Sequence, residues 1–184
     1  MKGDNSFTKQ DIILKAASSI VQRNGVAQLT LEAVAKEAGI SKGGLLYHFP
    51  SKEALIKGMV DKLNESYGAE IQRKAEEDQQ SRGAWSRAYV EATFNELDCG
   101  VAMSSALFAA AFANPKLLEG MQAQYKIWQN HIENDGTDSV HTTIARLAAD
   151  GLWFAEMFGL APLEQELRNK VYNELISWTK EERN

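Results

Sequence analysis

Between Thr30 and Lys52 the sequence TLEAVAKEAGISKGGLLYHFPSK gathers side chains suited to gripping a polyanion and reading its edges. Lys42 carries an ammonium that can donate to guanine O6 or N7, a common base-specific contact. Gly43 and Gly44 follow it, and both are poor helix formers. Without side chains they let a backbone approach base edges closely. Tyr47 and His48 offer hydrogen-bond donors to phosphate oxygens. Lys52, in the first turn of a following helix, is unfavourable for that helix's dipole but well placed for a phosphate beside its free N–H groups. Thr30 has the same advantage at another helix start. Each residue also has an ordinary structural use: Gly-Gly in a loop, Tyr47 and His48 against a core, lysines in solvent. The combination is more specific than any member of it.

Such contacts need short helices held at a fixed angle. Thr30 can cap the first of these, and Leu31, Val34, Ala35 and Ala38 fall on one stripe at i, i+3, i+4 and i+7. Gly39 supplies a left-handed residue to end that helix, Ile40 can anchor the turn, and Ser41 can cap a second helix. The pattern is helix-turn-helix. A preceding helix is expected from Thr8, which forms a capping-box-like pair with Asp11. Ile12, Ile13, Ala16, Ala17, Ile20 and Val21 make its core stripe, with Gly25 at its end. Phe49 can seal the three-helix core, and Pro50 stops the third helix. Ser51 then caps a long fourth helix with Leu55, Ile56, Met59, Val60, Leu63, Tyr67 and Ile71 on one face.

The polar run KAEEDQQSRGA closes that helix, and amphipathic segments follow at about 83–98, 101–113, 116–134, 139–158 and 163–181. Strand and hairpin signals are lacking, so an all-α fold of about nine helices is expected. Residues 1–52 form the helix-turn-helix part and 53–184 a second helical domain. Charge follows the same division. Residues 1–52 carry seven Lys or Arg against four Asp or Glu, and the rest thirteen against twenty-one. A basic end on an acidic body is what a small DNA-binding module joined to another domain shows, despite the net charge of −5. The apolar runs are too short for a membrane span, MKGDNSFTKQ lacks a signal-peptide core, and Cys99 is the single cysteine. A cytoplasmic location without membrane contact is expected.

From about residue 10 to 60 the chain resembles the TetR family of bacterial transcriptional regulators. The likeness centres on SKGGLLYHFPSKEAL, close to the family's Ser-Lys-Gly, Leu-Tyr-Tyr-His-Phe-like and Ser-Lys-Glu elements. It implies a homodimer that binds double-stranded operator DNA through N-terminal helix-turn-helix modules. It also implies an all-helical C-terminal domain for dimerisation and a small-molecule effector. Thr30, Tyr47, His48 and Lys52 match phosphate-gripping positions, and Ser41, Lys42, Gly43 and Gly44 match the base-facing part of the recognition helix. Leu46 departs from the pattern, standing where the family often has a DNA-contacting tyrosine. It could instead touch a thymine methyl.

The second domain is rich in soft and aromatic side chains, which suit adaptable lipophilic pockets and equally suit helical cores. Pocket candidates are Tyr67, Met103, Phe108, Phe112, Met121, Tyr125, Trp128, Trp153 and Met157. Met121, Tyr125 and Trp128 share one helical stripe, and Trp153 and Met157 another. The segment ARLAADGLWFAEMFG is similar to the matching helix of TetR-like regulators that bind cationic multidrug-type compounds. Asp150, in a mostly apolar helix, could hold a lipophilic cation beside aromatic faces, with Glu156 and Glu91 as alternatives. A solvated or helix-capping role is its plainer use. The last two segments have apolar stripes, Val140, Ile144 and Leu147 on one and Leu163, Leu167, Val171, Leu175 and Trp178 on the other. With a partner's pair these could close a four-helix bundle, or they could serve the core of one chain.

The sequence therefore predicts a ligand-responsive repressor, the alternatives being a metabolite-sensing regulator of a metabolic gene and, remotely, an all-α enzyme. His131 and Glu133 lie two apart, which is not a metal-ligand pair on a helix, and HExxH, Walker and GxSxG patterns do not occur. Neither cofactor nor metal is expected.

Overall fold

The computed structural model describes residues 8–80, 82–96, Phe108 and 114–180. Among these the regular structure consists of eight α-helices and two short 3-10 turns, and strands are absent. The all-α expectation holds. The further helix expected over 101–113, with Met103 and Phe112, lies outside the described residues, as does Cys99. Two compact units are formed, one within Met1–Lys62 and Ala102–Leu118, the other within Leu63–Val101 and Glu119–Asn184.

In the first unit, helix α1 (Lys9–Asn24) begins at a complete capping box. Asp11 N–H donates to Thr8 Oγ1 at 3.1 Å, and Thr8 N–H donates to Asp11 Oδ2 at 3.1 Å. The helix buries Ile13, Ala16, Ala17, Ile20 and Val21, whereas Ile12 is largely exposed. At about 100° per residue those five occupy one continuous arc of the helix, and Ile12 falls just beyond its edge. After Gly25 and a 3-10 turn (Val26–Gln28) comes α2 (Leu31–Glu37), capped by Thr30 Oγ1, which accepts from Ala33 N–H at 3.1 Å. Gly39 adopts φ +66° and Ile40 N–H returns to the Ala35 carbonyl at 3.0 Å, so the turn to α3 (Lys42–His48) closes on its own backbone. Leu29, Val34, Leu45 and Phe49 complete the core.

Helix α4 (Lys52–Glu77) starts where Ser51 Oγ accepts from Ala54 N–H at 3.1 Å. Leu55, Ile56, Met59 and Val60 are buried in the first unit, and Ile71 belongs to the core of the second. A Cβ on Gly58 would lie 2.6 Å from the Phe49 ring, so the absent side chain lets that ring seat on α4.

The second unit packs α5 (Ala84–Glu96), α6 (Glu119–Glu133, preceded by a 3-10 turn at Pro115–Leu118), α7 (Ser139–Phe158) and α8 (Gln165–Trp178). Asp138 caps α7, its Oδ1 accepting from Val140 and His141 N–H, both at 2.9 Å. The core gathers Tyr89, Phe94, Trp128, Ile132, Leu152 and Leu175 with alanines 88, 92, 145 and 149. Buried Arg87 ties the loop before α5 to the end of α8. It donates to the Asp78 carboxylate at 2.7 Å, the Gln80 carbonyl at 2.7 Å and the Thr179 carbonyl at 3.3 Å. The guanidinium holds the Asp78 carboxyl below the usual carboxylate range.

Candidate nucleic-acid interface and ligand core

Helix α3 turns Leu45 inward and leaves Ser41, Lys42, Gly43, Gly44 and Tyr47 exposed, with Leu46 and His48 half-buried. Tyr47 is 85% exposed and meets His48 edge-to-face, ring centroids 5.1 Å apart. A core role for Tyr47 is thereby removed. Ser41 Oγ accepts from Gly44 N–H at 3.1 Å, and a Cβ on Gly44 would sit 3.3 Å from that oxygen. A Cβ on Gly43 would meet no atom within 4 Å. Inside the protein, then, Gly43 has no steric reason to be glycine. Thr30 is exposed at the start of α2.

Two of the lysines have partners that sequence spacing did not reveal. Lys42 Nζ is ion-paired with Glu32 on α2. The half-buried Lys52 donates to the Val26 carbonyl at 3.3 Å, tying the start of α4 to the 3-10 turn. Both contacts cross ten or more residues and arise from the angle at which the helices meet, so no periodicity announces them.

In the second unit Tyr67, Tyr125 and Trp128 come together around Tyr89. The rings of Tyr67, Tyr89 and Tyr125 meet the Trp128 ring edge-on or nearly so, with centroids 5.3, 5.8 and 5.1 Å away. Asp150 closes this cluster. Its Oδ1 accepts from Tyr89 OH at 2.5 Å and Tyr125 OH at 3.4 Å, and its Oδ2 from Arg146 at 2.7 Å. Burial pushes the Asp150 carboxyl up, against the opposing pull of Tyr89, Arg146 and Tyr125. Burial likewise pushes the Tyr125 phenol up to about 12 and that of Tyr89 well above its ordinary value. Asp150 is therefore neither a freely solvated residue nor a helix cap. Arg146 and Tyr89 were missed in the sequence, although Arg146 and Asp150 stand at i, i+4 on one helix, a spacing that pairs opposite charges. Glu156 is engaged by Arg168 at 2.8 Å and Glu91 by Lys74 at 3.3 Å.

Met121 and Trp153 are half-buried, Met157 is buried, and Phe108, half-buried, belongs to the first unit. A surface groove of about 340 Å³ opens over Gly68, Gln124, Trp128 and the stacked pair Trp85–His131, whose centroids are 3.8 Å apart. Among the described residues there is no group of acidic, His or Cys side chains that could hold a metal, and no helix is long and apolar enough to cross a membrane.

The chain matches the tetracyclin repressor-like C-terminal domain over residues 83–180, more than half its length, and the N-terminal domain of the tetR family of bacterial regulatory proteins over residues 13–59. It belongs to the TetR family of bacterial regulatory proteins, which is not a family of enzymes. It is similar to the nucleoid occlusion factor SlmA of Vibrio cholerae serotype O1, 30% identical over 79 residues, which cover 42% of this chain and 40% of that one. It is also similar to the HTH-type transcriptional regulator TtgR of Pseudomonas putida, 31% identical over 85 residues, which cover 46% and 40%. The chain thus spans about 40% of the length of these curated relatives. Among solved structures, the multidrug binding protein EbrR complexed with ethidium shares the fold, with a TM-score of 0.68 and 22% identity over 91% of this chain and 98% of that one.

Proposed function

We propose that the chain is a homodimeric repressor that binds a palindromic operator and is released by a small lipophilic cation. The observation that carries the DNA side is the exposed outer face of α3, where Lys42, Gly43, Gly44 and an 85% exposed Tyr47 all stand outside the core. In this reading residues 1–52 bind DNA and 53–184 bind ligand and dimerise. Ser41, Lys42, Gly43, Gly44 and Leu46 face the bases, while Thr30, Tyr47, His48 and Lys52 grip phosphates. The chain works in the cytoplasm, where its operator is.

The dimer reading is supported by α7. Val140, Ile144, Leu147, Phe154 and Phe158 are all exposed. With Gly151, whose Cβ would meet no atom, they recur at steps of four and three, the seam spacing of paired helices. The stripe of α8 and the residue leading into it divides: Leu175 is buried, and Leu163 (ahead of α8), Val171 and Trp178 pack on the core of their own chain, leaving Leu167 exposed. A second copy is the occupant that a repeat of such regularity fits.

For the ligand side, Asp150 with Tyr67, Tyr89, Tyr125 and Trp128 offers one acid beside four aromatic rings, a chemistry suited to a flat cation. Arg146 holds that place in the free protein, lying 5.9 Å over the Tyr125 ring. EbrR, bound to ethidium, has the same fold. Helix α4 begins at Lys52 and carries Tyr67, so a ligand that shifts Tyr67 moves the helix that starts at the DNA. The coupling can equal only the ligand's preference for the released state. Labelled-duplex titrations with and without a non-intercalating cationic dye test this. A dye that binds tightly and leaves operator affinity unchanged contradicts the mechanism.

A further inference from the structure

We propose that Glu32 is a second base-reading residue, which acts with Lys42 as one unit to select a G·C pair. The inference rests on the DNA-binding reading of α3 and extends it to a residue on α2. Glu32 occupies the second position of α2, 65% exposed, and its carboxylate meets the Lys42 ammonium at the first position of α3. An exposed Lys–Glu pair contributes little net stability in water. The first turn of α2 favours an acid at Glu32, which accounts for the carboxylate but not for its contact with Lys42. Non-specific affinity does not account for that contact either. A carboxylate on a face that meets phosphates is repelled, and here it also neutralises a lysine of that face.

Base readout gives a reason. In the major groove a G·C pair presents the guanine O6 acceptor beside the cytosine N4 donor, and the two are hydrogen-bonded to each other about 3 Å apart. An ammonium and a carboxylate in contact present the complementary order, donor beside acceptor, at a similar spacing. Lys42 then donates to guanine and Glu32 accepts from cytosine without the ion pair being broken. C·G and A·T reverse the order and set like against like. T·A keeps the order through thymine O4 and adenine N6, but it puts the thymine methyl where guanine offers N7 as a second acceptor to Lys42. Of the two acids on α2, Glu37 is paired at 2.8 Å with Arg23 of α1, which leaves Glu32 as the acid in contact with the reading helix among the described residues.

The test is duplex binding by the full chain at fixed salt, using an operator obtained by selection and a panel with each half-site position changed in turn. Glu32→Gln is expected to reduce the preference for G·C at one position per half-site at least fivefold, at the same position that Lys42→Ala relaxes, and to raise affinity for unrelated duplex. Glu32→Asp keeps the charge on a shorter arm. It is expected to lose the same preference without the gain on unrelated duplex. If Glu32 merely attenuates Lys42, Glu32→Gln binds every duplex more tightly by one factor, Glu32→Asp behaves as the parent, and the proposal is overturned. A parent chain that binds no duplex at all refutes the DNA-binding reading itself. Thermal melting confirms that both variants are folded.

Discussion

Replacing Gly43 by alanine should make the protein more stable and its DNA binding weaker. In the free protein the added methyl meets no atom within 4 Å, and the residue has ordinary right-handed helical geometry inside α3. Alanine gains about 0.5–1 kcal/mol over glycine inside a helix, and the second position of a seven-residue helix falls at the low end. For a chain of this size that corresponds to a rise in Tm of about 1–3 °C. On DNA the same methyl stands where the backbone is to approach a base edge, and a displacement that breaks one good contact costs about 1.4 kcal/mol, or tenfold in Kd. Melting curves and anisotropy titrations of a labelled operator measure the two effects separately. Gly44→Ala is the contrasting control, because its methyl presses on the Ser41 oxygen that caps α3, and it should lose stability. If Gly43→Ala binds operator as tightly as the parent, close backbone approach is not why a glycine stands there.

Four further outcomes follow from the contacts described. Lys52→Ala should weaken binding to all duplexes alike and reduce the slope of log K against log salt by about one, measured by titration at several salt concentrations. Leu147→Glu should convert dimer to monomer in sedimentation equilibrium while leaving helicity intact, because Leu147 is 54% exposed on one chain. Asp150→Asn leaves the Arg146 guanidinium without its carboxylate in a half-buried site, which should cost about 2 kcal/mol in urea unfolding and weaken cationic dye binding at least tenfold. Asp78 titrates below its unfolded value, so its contribution is complete above about pH 4 and is lost as pH falls through the folded value. The stability difference between the parent and Asp78→Asn should accordingly be present at pH 6 and vanish toward pH 2.

The first unit was legible because its signals are local. A capping box at Thr8, a glycine at residue 39 with positive φ and capping hydroxyls at Thr30, Ser41 and Ser51 each act within four residues, and each is found in place. Helical periodicity also placed the described elements of the second unit within three residues of their ends. Periodicity did not say which of several apolar faces goes inward. Ile12 was expected inside and lies outside, whereas most of the α8 stripe turned out to serve its own chain. Partners across helices were the hardest to read. Glu32 with Lys42, Lys52 with the Val26 carbonyl and Tyr89 with Asp150 depend on how helices meet in space, and only the i, i+4 pair Arg146–Asp150 left a trace in the sequence.

Selection of bound sequences from a random duplex pool by the full chain tests the central claim most directly. A homodimer reading DNA through α3 should enrich an inverted repeat whose half-site centres lie about 10 base pairs, or a multiple of one helical turn, apart. The Lys42→Ala chain should lose discrimination at one symmetric position of that repeat. Recovery of unpaired half-sites, or a pool no different from the starting one, would contradict the account.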